Sequence, residues 1–132
     1  MKHRPTTSSA APPRAWRAWA IAASLLAASC SGSGQPDGAV RGFYEAALAG
    51  NAAAAQGLLA EQRAADAVEI LRAATRAGEL RRADILSVDV WSEHGAVCVV
   101  RKSFADGASE IVRLDVRREG GDWKLAAGQP GF

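Results

Sequence analysis

The spacing of apolar residues changes once along this chain, from a helical period before Gly78 to a strand period after it. Val40, Phe43, Tyr44, Ala47 and Leu48 recur at i, i+3, i+4, i+7 and i+8, which is one face of a helix. Asp37 reads as the N-cap of this helix and Gly50 as its stop. Asn51 is placed to cap a second, alanine-rich helix running to Leu59 or Ala60, with Gly57 as its weak point. A third helix is predicted from Gln62 to Ala77, with Ala64, Ala67, Val68, Leu71 and Ala74 as its buried stripe. Arg63, Asp66, Glu69, Arg72 and Arg76 fall mostly on its other face, as a solvated charge array.

Beyond Gly78 the residues alternate. Leu86, Val88 and Val90 interleave with Ser87, Asp89 and Trp91, and Glu93-His94-Gly95 makes a turn. Ala96 to Phe104 is a second strand. Asp106-Gly107 is the strongest hairpin signal, because both residues tolerate the positive φ of a tight primed turn. Val112, Leu114 and Val116 then alternate with Arg113, Asp115 and Arg117. Glu119-Gly120-Gly121-Asp122 turns again into a short last strand, Trp123 to Ala127. Consecutive hairpins make an antiparallel meander with one apolar face. Three helices packed on that face make a single α+β domain, residues 37–132.

The first 29 residues do not belong to that pattern. Lys2, Arg4, Arg14 and Arg17 make a basic start, Ala18 to Ala28 is an uncharged and mostly apolar run, and Ser29-Cys30 follows. The run is far shorter than the roughly 20 residues a membrane span needs, so it reads as an export signal. Small residues before Cys30, with Ser31-Gly32-Ser33-Gly34 behind it, have the form of a bacterial lipoprotein junction. Position −3 is Ala27, where Leu is usual. Ala27 and Ser29 also satisfy ordinary signal cleavage at the same bond, whose product is a soluble secreted protein with a free thiol. Residues 1–29 are thus expected to be a signal peptide, and residues 30–36 a lipidated Cys30 with a flexible tether. That places the domain on the extracytoplasmic side of a bacterial membrane, held there by its N-terminal lipid.

Removing the leader reverses the charge. Four of the 16 basic residues and none of the 14 acidic ones precede Cys30, which leaves 12 against 14, a net of −2 over 103 residues. The basic balance belongs to the signal, and no nucleic-acid partner is expected. With Cys30 acylated, Cys98 has no disulfide partner. It lies in the apolar run Ala96 to Val100, where a lone cysteine packs as a small hydrophobe.

The chemistry-bearing residues are few. His3 leaves with the leader, and His94 sits beside Glu93 in a turn, too little for a metal site or an acid–base pair. Cys98 lies four residues from His94 with no third residue to orient the pair. No phosphate loop, paired-cysteine motif or EF-hand pattern is present. No catalytic residue, cofactor or metal is therefore expected. The positions best placed to face the interior are Phe43, Tyr44, Leu48, Val88, Val90, Val112, Leu114 and Trp123, nearly all apolar. If the interior opened into a ligand pocket, Tyr44, Phe43, Val90, Leu114 and Trp123 would line it, with the Tyr44 hydroxyl as its polar anchor.

Two stretches resemble a known group. Ala39-Val40-Arg41-Gly42-Phe43-Tyr44-Glu45-Ala46-Ala47-Leu48-Ala49-Gly50-Asn51 looks like the opening helix of bacterial lipoproteins with a cystatin-like, nuclear-transport-factor-like α+β fold. Glu119-Gly120-Gly121-Asp122-Trp123-Lys124-Leu125 is similar to that group's closing hairpin. Asn51 departs from the Asp expected there, though both residues cap helices. The resemblance spans Ala39 to Ala127 and implies a fold and an envelope location, but no catalytic residue. Relatives of this architecture bind or isomerise small molecules between helices and sheet, which requires a carboxylate and a hydrogen-bond donor. The functional expectation is a non-enzymatic accessory lipoprotein that engages a protein or envelope component. A small-ligand pocket, or an isomerase-type enzyme, is the alternative.

Overall fold

The computed structural model describes residues 34–132, so the segment expected to be an export signal, and Cys30, lie outside the described residues. Four helices precede a four-stranded antiparallel sheet: α1 (Pro36–Ala49), α2 (Ala52–Gln56), α3 (Glu61–Ala64), α4 (Ala67–Ala74), β1 (Leu80–Ser92), β2 (Gly95–Phe104), β3 (Ser109–Glu119) and β4 (Asp122–Gln129). The strands lie in chain order β1-β2-β3-β4, and all the helices precede the sheet.

Helix α1 starts two residues earlier than the expected Asp37 cap implies. Gln35 is the N-cap and Pro36 takes the first turn, where its missing N–H costs nothing. Gly50, at φ 68°, closes the helix: its N–H donates to the Ala47 carbonyl, and the Asn51 N–H donates to that of Ala46. That double bond pattern satisfies two carbonyls the helix end would otherwise leave open. Asn51 then caps α2 through its side chain, Oδ1 accepting from the Ala54 N–H at 3.1 Å.

The predicted third helix is two helices with a break at Ala65-Asp66. The break reconciles two anchors that a straight helix cannot reach together. Leu58 to Ala60 run as an extra ribbon beside β4: the Ala60 N–H donates to the Leu125 carbonyl at 2.8 Å, and the Leu125 N–H to that of Leu58 at 2.9 Å. The Glu61 N–H is held by Glu119 Oε1, and Arg63 Nε donates to the Ala126 carbonyl. Helix α4 instead packs Ala67, Leu71 and Ala74 inward, with Ile70 half-buried beside them. Val68, expected in that stripe, is exposed.

The sheet's inner row is Ala96, Cys98 and Val100 of β2, Val112, Leu114 and Val116 of β3, and Trp123 and Leu125 of β4. These residues pack against Val40, Phe43 and Tyr44 of α1 in one core. The two later hairpins use different turns. Gly120 and Gly121 both have positive φ (59° and 89°) and join Glu119 to Asp122 as a two-residue primed turn. At Asp106-Gly107 only Gly107 is left-handed, and Asp106 Oδ1 accepts from the Ala108 N–H. The hairpin expected there exists, but as a longer loop.

Strand β1 departs most from expectation. Val88 pairs with Cys98 and Val90 with Ala96, both inward residues of β2, so the alternation assigns Val88 and Val90 to the inner face correctly. Yet neither is buried, and Val90 is 55 % exposed. Leu48, at the far end of α1, is likewise 50 % exposed. The reason for the two valines is their place at the sheet edge. Their partners Cys98 and Ala96 on β2 have no exposed surface, so the covering layer sits over β2 and β3 and leaves the edge strand β1 open at that level.

Charge substitutions distinguish face from cover. Leu114→Asp, at a site with no exposure, is expected to cost about 4 kcal/mol, a large part of a small domain's stability. Arg113→Asp on the outer face and Val90→Asp on the uncovered inner face are each expected to cost under about 1 kcal/mol. Urea unfolding of the three variants checks this. A Val90→Asp loss as large as that of Leu114→Asp would mean that Val90 is covered.

Candidate functional site

Two features outside the filled interior carry chemistry. The first is a polar knot where α1 crosses β1, β2 and β3. Alternation along β2 brings Lys102 onto the inner face between Val100 and Phe104, opposite Ala83 of β1 and Glu110 of β3. It is only 2 % exposed. Its Nζ donates to the Phe132 carbonyl at 2.7 Å and lies 3.5 Å from Glu110 Oε1. Burial pushes the Lys102 ammonium down from its ordinary pKa, and the Glu110 charge and hydrogen bond oppose that shift. The Phe132 ring meanwhile packs 5.9 Å from Phe43, so Phe132 joins the core to this lysine.

Tyr44 stands close by on α1, edge-on to Phe43 with ring centroids 5.1 Å apart. It is 4 % exposed, and its hydroxyl finds no hydrogen-bond partner among the described residues. Burial raises its pKa, and the negative charge of Glu110 raises it further. At neutral pH the phenol can therefore donate a proton in a hydrogen bond but cannot act as a base. A groove of about 340 Å³ runs over it between α1 and β1, walled by Arg41, Glu45, Leu48, Ala83, Asp84 and Ile85. Trp123 Nε1 is the other buried polar atom left without a partner among the described residues, with the Arg118 guanidinium 4.9 Å from its ring.

The second feature is the end of β1 left open at the sheet edge. Leu86, Val88 and Val90 are exposed there, and Trp91 is 62 % exposed, its ring lying over the backbone of Gly95. Any Cβ at position 95 would collide with that ring, so glycine is what lets Trp91 lie flat across the hairpin.

The five residues that would line a pocket if the interior opened are not brought together around one. Phe43, Leu114 and Trp123 are packed core, Tyr44 alone lines the α1–β1 groove, and Val90 lies on the open end of β1. Large side chains fill the space a pocket would need: Phe43, Leu114 and Leu125 have no exposed surface. His94 is exposed and its Nε2 sits 3.2 Å from Glu93 Oε1, while Cys98 is fully buried. Burial, aided by the charge of Asp37, pushes the Cys98 thiol up to about 11. Among the described residues no group of three or more His, Cys, Asp and Glu side chains comes together, and no helix is long and apolar enough to cross a membrane. Lys102 escaped the sequence reading, although its even spacing from Ala96, Cys98 and Val100 marks it as an inward position.

No protein-family model matches the chain, and no curated protein matches it. The solution structure of a SEC-C motif containing protein from Rhodopseudomonas palustris superposes on it with a TM-score of 0.59. The match covers 78% of this chain and 84% of that one at 16% sequence identity. At that identity the likeness is one of fold: helices followed by a four-stranded antiparallel sheet.

The buried thiol sets an alkaline limit. Its folded pKa of about 11 lies above its ordinary 9.0. The resulting stabilisation is fully present below pH 9 and is lost as pH rises to about 11, on the order of 2–3 kcal/mol. Tyr44 adds a loss of the same sign above pH 10, and Lys102, shifted down, contributes in the opposite sense. Cys98→Ala should flatten the fall in unfolding free energy between pH 9 and 11, and Tyr44→Phe should stabilise by about 1 kcal/mol by removing an unpartnered hydroxyl. Denaturant titrations at stepped pH measure both, and an unchanged slope in Cys98→Ala would show that the thiol does not set the limit.

Proposed function

We propose that this chain is the precursor of a lipid-anchored, extracytoplasmic lipoprotein whose mature domain is a non-enzymatic interaction module of the cystatin-like, nuclear-transport-factor-like kind. The anchor is Cys30, and the junction Leu25 to Cys30 with its Gly/Ser spacer supports it. The observation that carries the interaction role is the contrast between a filled interior and an uncovered apolar strand end. Phe43, Leu114 and Leu125 leave no chamber between helices and sheet, whereas Val88, Val90 and Trp91 lie open on β1. Binding therefore takes place on a surface.

One observation favours a second reading. Tyr44 lines the 340 Å³ groove, with Arg41, Glu45 and Asp84 as charged walls, and a shift of its buried, unpartnered hydroxyl toward the groove would offer a small ligand a hydrogen-bond donor. An isomerase-type reaction would use one of those carboxylates as its base.

Intact mass of the mature protein from a bacterial membrane fraction tests the anchor. The expected species begins at Cys30 and carries acyl mass; a species with a free Cys30 thiol that stays in the aqueous phase of a detergent partition would make the protein soluble and secreted. A thermal-shift screen of that same protein against metabolites tests the groove. A ligand at a hundredfold excess over its Kd stabilises by about 2.7 kcal/mol. A shift of that size that vanishes in Tyr44→Phe would favour the ligand reading over the surface one.

A further inference from the structure

We propose that the open end of the β1–β2 hairpin is a membrane-contacting surface: Val88 and Val90 on one face and Trp91 on the other sit in the interfacial layer of the bilayer to which Cys30 is anchored. This rests on the anchor reading above and specifies how the domain stands on its membrane.

Three observations lead to it. The first is which end of the domain faces the anchor. Tyr44 and Leu48, late in α1, stand beside Ala83, Asp84 and Ile85. Those three β1 residues lie near the start of the strand, and α1 runs back from them against β1, β2 and β4. Its first turn therefore lies toward the β1–β2 turn, where Val90 and Trp91 stand. Five residues separate Pro36 from Cys30, a reach of about 20 Å at full extension. The end of β1 is thus the end held near the lipid.

The second observation is chemical. Two β-branched apolar residues and an exposed tryptophan cluster at one strand end, with exposed Leu86 next along the same strand, while Leu48, Val68 and Ile111 lie elsewhere on the surface. Tryptophan favours the headgroup level, where its ring is half in hydrocarbon and its N–H stays wet. Asp89 and Glu93 beside the cluster oppose deep insertion and fit a shallow seat.

The third observation weighs against a second protein strand as the occupant. Strand β1 is the free edge of the sheet, but its register is interrupted at Leu80/Arg82, Ile85/Ser87 and Val90/Ser92. Such irregularities twist an edge away from further pairing and leave side chains, not ladder groups, as its contact surface.

The test uses acylated mature protein reconstituted in phosphatidylethanolamine–phosphatidylglycerol vesicles with brominated acyl chains. The mature chain has two tryptophans, Trp91 and the buried Trp123, so Trp91→Phe isolates the signal of each. Trp91 emission should shift to the blue and fall severalfold with brominated lipid while Trp123 stays unchanged, and Val88→Thr/Val90→Thr should weaken that quenching. An acylated, vesicle-bound protein whose Trp91 remains open to aqueous iodide overturns the surface and leaves the anchor standing. A chain recovered without acyl mass overturns both. Trp91 protection that appears in micelles only as concentration rises, with a doubled mass, assigns the face to a second copy and overturns the proposal.

Discussion

The structure depends on one contact, the strip of α1 made by Val40, Phe43 and Tyr44 against the inner row of β2, β3 and β4. It supplies most of the core's large side chains, and the other helices arrange themselves around it. Among the described residues α1 is the only helix longer than eight residues, and the edge strand β1 is left open at Val88 and Val90. The short helices are spent elsewhere: α2 packs on α1, α4 packs on α2, and α3 is drawn to the β4 edge by the bonds of Ala60 and Arg63. Burial in this domain is therefore distributed by position in the sheet as much as by hydrophobicity.

That distinction explains what the amino-acid pattern made legible. Strand periodicity reports which face a residue occupies, and it did so correctly for Val88, Val90, Val112 and Leu114. It carries no information about whether a second layer lies above, which is why Val88 and Val90 were expected in the core. The break between α3 and α4 was hidden for a related reason: Ala65 and Asp66 contain no helix breaker, and the cause is a tertiary tie at Ala60 and Arg63. The Gly120-Gly121 turn was readable because its φ values are demanded locally. At Asp106-Gly107 the same logic identified a hairpin but not its loop length.

The candidate sites divide in the same way. Tyr44 was legible as an inward aromatic at helical spacing, but the groove beside it depends on how α1 meets β1. The five candidate lining residues are not gathered around a pocket because alternate residues on one face pack against each other when their side chains are large. Lys102 shows the opposite error. A charged residue at an inward position was overlooked because charge suggests solvent, although its aliphatic stem packs well and its ammonium has the Phe132 carbonyl and Glu110 within reach. Cys30 is readable only in the sequence.

The ribbon Leu58 to Ala60 bears on how the chain acquires its shape in time. Arg63 bonds to a carbonyl 63 residues away, and Lys124 to one 67 residues away, so the helical half is joined to the final strand. Closing loops of that length is entropically costly and slow compared with forming helices or hairpins. During synthesis the helical segments emerge before β4, the strand on which they dock. The domain therefore completes its folding only after β4 has been released, a delay that the export proposed above would require.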